Sequence, residues 1–170
     1  MEPDALIVSK AQLPDIGCGT TGLANLRNAS SDGKEERRGT TWWSMRSWRA
    51  DRGCEISMAV FSYSGTGEAE EYFSRSSPRA VYSASWPEEP VEVSVPSGLD
   101  NDRSQILCVG GNPHSGCSIW IYWARYRDIL INVEVFNLAT QGIRVDQETF
   151  LDLVRRANAR VVDGQATRRS

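Results

Sequence analysis

Two runs of alternating residues, 117–126 and 129–136, meet across Arg127-Asp128 and constrain this chain more than any other feature. Alternation with period two marks a strand, and two such runs separated by two residues read as a β-hairpin. Ile119, Ile121 and Trp123 share one face of the first strand, and Ile129, Ile131, Val133 and Val135 one face of the second. Taking both sets as one core face leaves Trp120, Tyr122 and Tyr126 opposite, beside Asn132, Glu134 and Phe136. Glu is rarely fully buried unless paired. That second face is expected to be partly open, with Trp120, Tyr122, Asn132 and Glu134 available to bind.

The rest of the pattern places the hairpin in a larger sheet. Residues 55–63 read as a central strand, apolar on both faces. Thr66 is positioned to cap a helix over 67–76, with Glu68, Glu70 and Glu71 near its positive end and Ala69, Tyr72, Phe73 and Ser76 on one face. Short strands are expected at 41–48, 80–85, 91–95 and 105–109. Asp146 is positioned to cap a helix running to about Arg160, whose apolar face carries Phe150, Val154, Ala157 and Val161. Residues 17–39 read as a Gly- and Ser-rich loop, and 165–170 as a flexible basic tail. The order predicts an α+β fold, an antiparallel sheet with the helices packed on one face. At 170 residues the chain suits one domain, here residues 1–164.

Cysteine usage sets the compartment. Cys18, Cys54, Cys108 and Cys117 are even in number, contain no C-x-x-C pair and share the chain with a single histidine, His114. That composition disfavours a zinc site and favours two disulfides, hence an oxidising, extracytoplasmic location. Three connectivities exist. The turn-rich stretch between Cys108 and Cys117 favours pairing those two, which leaves Cys18 with Cys54. Chain-entropy arguments give the short and long loops ~2.7 and ~3.8 kcal/mol. The opening residues lack the basic and apolar regions of a signal peptide, so an export signal is expected to be encoded upstream. The 17 Arg against two Lys point to a GC-rich bacterial source.

Chemistry-bearing motifs are scarce. His114 lies beside Cys117, and a cysteine held in a disulfide offers it no nucleophile to serve. The glycine-rich stretches 17–22 and 110–116 lack the Gly-Lys-Ser/Thr ending of a phosphate-binding loop. Asp100-Asn101-Asp102 opens like a calcium loop, but Arg103 intrudes and Gly111 stands where a bidentate Glu is needed. No catalytic residue, metal or cofactor is expected. A net charge of −3 argues against a nucleic-acid partner. A second aromatic stretch, with Trp42, Trp43, Arg46 and Trp48, joins the types enriched at binding hot spots.

An opening apolar segment ends at Leu13-Pro14, and a cysteine precedes a Trp-containing stretch with another soon after it. A strand–helix unit follows, then the Cys108/Cys117 pair, the hairpin and an amphipathic C-terminal helix. This layout resembles exported sensor-like domains of actinobacteria, among them the extracellular domains of mycobacterial membrane serine/threonine kinases and related lipoproteins. The resemblance implies a two-disulfide α/β sandwich-like domain with a ligand groove. The expectation is a non-enzymatic, extracytoplasmic binding or sensor-like domain for a small molecule, glycan or protein. The alternative is a secreted protein acting by protein–protein contact, such as an enzyme inhibitor.

Overall fold

The structure, a computed structural model, describes residues 3–16, 24–31, 40–49, 54–78, 88–137 and 145–167. Two 3-10 turns, Pro3–Leu6 and Lys10–Gln12, open the chain. Seven strands follow: β1 (Ala24–Ser31), β2 (Thr40–Arg49), β3 (Cys54–Tyr63), β4 (Val91–Val93), β5 (Arg103–Asn112), β6 (Gly116–Tyr126) and β7 (Ile129–Asn137). Helix α1 (Thr66–Arg75) leaves β3, and α2 (Gln147–Thr167) follows β7. All seven strands form one antiparallel sheet in the order β1-β2-β3-β7-β6-β5-β4. The α+β class is as expected. Among the described residues, no helix is long and apolar enough to cross a membrane.

The helices lie on opposite faces of the sheet, not on one. On one side Ile56, Met58 and Val60 of β3, Val133 and Val135 of β7, and Trp120 and Tyr122 of β6 share a core with Phe150, Val154, Ala157 and Val161 of α2. Leu6, Ile7 and Val8 belong to the same core. On the other side Phe61, Trp123 and Leu130 pack with Ala69 and Phe73 of α1. The central strands are apolar on both faces because both are covered. Each helix therefore has its own apolar layer, which strand alternation on β3, β6 and β7 supplies.

The hairpin exists, but its faces are paired differently from the sequence reading. A two-residue turn puts its flanking residues opposite each other, so Tyr126 faces Ile129, Tyr122 faces Val133 and Trp120 faces Val135. Those aromatics thus share a face with the β7 aliphatics, while Ile121 faces Glu134 and Trp123 faces Asn132. A one-residue slip in assumed register moves every side chain to the other face. Trp120 and Tyr122 are fully buried beneath α2. Trp120 stacks on Phe150 with centroids 5.1 Å apart and donates its indole N–H to the Val145 carbonyl at 2.8 Å.

Other expectations are corrected in detail. Part of the expected loop 17–39 is strand β1, paired with β2 despite its polar sequence. Gly65, not Thr66, is the N-cap of α1. Asp146 does cap α2, accepting from the Thr149 amide at 2.8 Å. That helix continues to Thr167, so residues 165–167 of the expected tail are helical, and Gln165 donates to the Tyr126 carbonyl at 3.0 Å. The expected strand at 80–85 lies outside the described residues.

Cys108 and Cys117 form a disulfide, with Cα atoms 5.5 Å apart. Between them Gly110 adopts a φ of 67°, and its missing Cβ would sit 2.9 Å from Ser118 Oγ. Ser118 closes this kink by donating to the Gly110 carbonyl at 2.6 Å. It is the one disulfide seen among the described residues. Cys54 is buried and disulfide-bonded, but Cys18, its expected partner, lies outside the described residues.

Candidate functional site

The residues expected to bind do not converge. Trp120 and Tyr122 are core. Strand alternation also divides the Trp42–Trp48 stretch: Trp42 and Trp48 pack with the α2-side core, Trp43 with the α1-side core, and Arg46 is partly exposed between them. Asn132 and Glu134 are partly exposed on the α1 side, where Asn132 Nδ2 donates to Glu134 Oε1 at 2.8 Å. Gln105, Trp123 and Asn132 form a cross-strand row there. Gln105 Oε1, Trp123 Nε1 and Asn132 Oδ1 are buried without a hydrogen-bond partner. Such atoms cost about 1–3 kcal/mol each unless something satisfies them.

The better-formed site is a pocket of about 490 Å³ at the hairpin end of the sheet. Three segments build it: residues 99–102, Tyr126 and Arg127 at the hairpin turn, and Val162, Gln165 and Ala166 of α2. The volume falls in the range of small-molecule sites. Leu99, Val162 and Ala166 give it an apolar wall. Asp100, Asn101, Arg127 and Gln165 give it polar groups of both charge signs.

Local chemistry fixes these segments. The Asp102 amide donates to the Arg125 carbonyl at 2.8 Å, and the Asp102 carboxylate accepts from the Arg127 amide. The same carboxylate lies 3.2 Å from Arg125 Nη1. Arg125 and Arg103 also pair with Glu70, which ties α1 to this end of the sheet. Arg127 has a φ of 60°, the left-handed region where a two-residue hairpin turn normally places Gly or Asn. Among the described non-glycine residues it alone has a positive φ.

Beneath the pocket runs a buried hydrogen-bonded chain. Asn101 Nδ2 donates to the Tyr122 hydroxyl at 3.2 Å, the Tyr122 and Tyr126 hydroxyls are 3.0 Å apart, and Tyr126 donates to Asn158 Oδ1 at 2.8 Å. Because the single Tyr126 proton goes to Asn158, Tyr122 donates to Tyr126. The chain thus runs in one direction from the pocket loop to the middle of α2. Burial holds both phenols protonated: the Tyr122 pKa is pushed up to about 12, against the pull of its hydrogen bonds. Tyr126 is raised further, mainly by burial, with Tyr122 next and a small contribution from the Asp100 carboxylate.

The pocket was hard to see in the sequence. Residues 100–102 read as a failed calcium loop, Arg127 as a turn residue and Gln165 as tail. The one usable signal was a bulky cation at a turn position that favours Gly or Asn. Elsewhere, His114 is exposed on the β5–β6 turn and lines a more open hollow, also about 490 Å³, with Asp146 and Glu148. Among the described residues no group of three or more His, Cys, Asp or Glu could hold a metal.

No family model matches this sequence, and no curated protein does. Among solved structures, the extracellular domain of PknH from Mycobacterium tuberculosis is similar, with a TM-score of 0.54 and 10% identity. The similarity spans 95% of this chain and 93% of that one. Likeness at this identity is a likeness of fold, and it extends over the whole domain.

Proposed function

We propose that this chain is an extracytoplasmic, non-enzymatic sensor-like domain that binds a small molecule in the pocket between residues 99–102, Arg127 and the end of α2. The setting that suits such a domain is a lipoprotein or another membrane-anchored protein. The observation that carries the binding reading is the pocket's position over the Asn101–Tyr122–Tyr126–Asn158 chain. A ligand that engages Asn101 or Gln165 acts on groups already bonded to the hairpin, so occupancy is felt at α2 as well as at the loop. The fold shared with the extracellular domain of PknH and the Cys108–Cys117 disulfide support the compartment. A thermal-shift screen of small polar metabolites tests the reading, run on the wild type and on Ala166→Trp, which places an indole at the pocket wall. Stabilisation of the wild type alone is expected. Equal stabilisation of both proteins contradicts it.

A second reading, contact with a glycan or protein over the α1-side face, is favoured by the unsatisfied row Gln105–Trp123–Asn132 beside Glu134. Alternating acceptors and a donor along a sheet face suit a hydroxyl-rich chain or an extended peptide. Asn132→Ala with Glu134→Ala would weaken such binding and leave binding to the pocket unchanged.

A further inference from the structure

The pocket carries two opposite charges that the fold does not use. Asp102 is neutralised by Arg125 and by the Arg127 amide. Asp100 and the Arg127 guanidinium, in contrast, have no hydrogen-bond or ion-pair partner among the described residues, although both line the same cavity. Both side chains are exposed where they line the cavity, and a direct surface pair would gain only about 0–1 kcal/mol, so each charge is available to a ligand. Here they remain apart with a cavity between the segments that bear them. Arg127 also stands in left-handed backbone, where Gly is cheaper by sterics alone. Strain of this kind persists where the surroundings enforce it, and it concentrates at ligand sites. The Asp102 carboxylate on the Arg127 amide is what enforces it here.

We infer that the pocket recognises a small zwitterion, a free amino acid or a close analogue, with its ammonium group on Asp100 and its carboxylate on Arg127. This inference rests on the reading of the cavity as the ligand site. Guanidinium is the side chain best matched to a carboxylate, which it meets with two parallel N–H donors. Asn101 and Gln165 flank the charged pair with amide groups, and Leu99, Val162 and Ala166 offer an apolar wall for the ligand's side chain. Binding places each ligand charge against its opposite. A ligand with only one of the two charges would leave Asp100 or Arg127 without a partner.

The test is calorimetric titration of the whole domain with a panel of free amino acids, their carboxamides and their deaminated acids. Some free amino acids are expected to bind, and their singly charged analogues to bind at least about tenfold more weakly, the scale of one charge-assisted hydrogen bond. Arg127→Gly removes the guanidinium and relieves the backbone, so it should keep or raise the melting temperature while losing binding. Asp100→Asn should weaken binding about tenfold or more. Analogues that bind as well as amino acids, or Arg127→Gly binding unchanged, would overturn the zwitterion. If amino acids fail while other small molecules bind and Ala166→Trp blocks them, the zwitterion falls and the pocket stands. If Ala166→Trp leaves all binding intact, both fall.

Discussion

The Tyr126 hydroxyl donates to Asn158 Oδ1 at 2.8 Å across the interface between the hairpin and α2. Both residues are buried, at 2% and 8% exposure, so this bond is made where water does not compete. It joins the last residue of β6, next to the strained Arg127, to the middle of the C-terminal helix.

Tyr126→Phe leaves Asn158 Oδ1 buried without the Tyr126 donor and removes the oxygen that accepts from Tyr122. A loss of about 1–3 kcal/mol in unfolding free energy is expected. Chemical denaturation with unchanged m-value measures it. Asn158→Leu, which removes the acceptor together with its need for a partner, should partly restore the double variant, because deleting both partners costs less than orphaning one.

The phenols also set an alkaline limit. The Tyr122 pKa is about 12 in the fold against 10.0 unperturbed, so the unfolded chain releases its proton first. The stabilisation is complete below about pH 10 and is lost as pH rises towards 12. Stability should be flat from neutral pH to about 9 and fall steeply above 10. Tyr122→Phe should make that fall shallower, and an unchanged slope in the variant would contradict the assignment.

How much of this was legible in sequence differs by element. The strands β3, β6 and β7 were visible because each alternates or is continuously apolar, and α2 because Phe150, Val154, Ala157 and Val161 recur at helical spacing. Which face went where was misread. The turn Arg127-Asp128 itself pairs Tyr126 with Ile129, and grouping by hydrophobicity across the turn overrode that geometry. Strand β1 was invisible, since ANLRNASS has no apolar period and is held by pairing with β2 alone. The pocket was not legible, as its residues come from three segments that meet only when the hairpin and α2 are docked.

Trp120 tests the corrected face directly. If it is core under α2, Trp120→Ala should cost about 3–5 kcal/mol, as large aromatic truncations do. Its fluorescence in the wild type should be shielded from a soluble quencher. A small stability loss with a large binding defect would instead place it on an open surface.

Thiol content tests the compartment. Titration under denaturing conditions should find no free thiol, and peptide mapping should recover Cys108–Cys117 and, by the expectation drawn from sequence, Cys18–Cys54. Reducing the 108–117 link should cost about 2–3 kcal/mol from its short loop. Recovery of Cys54 as a free thiol would remove the second link.

A small molecule in the cavity between residues 99–102, Arg127 and the end of α2 would perturb the backbone amides that line it. Amide chemical-shift mapping of the whole domain, titrated with a mixture of amino acids, monosaccharides and nucleosides, measures this most directly. Saturable shifts are expected at Asn101, Asp102, Arg127, Gln165 and Ala166, with smaller ones at Tyr126 and Asn158 along the buried chain. Shifts confined to Asn132, Glu134 and their neighbours on the α1 side, or none at the cavity, would contradict it.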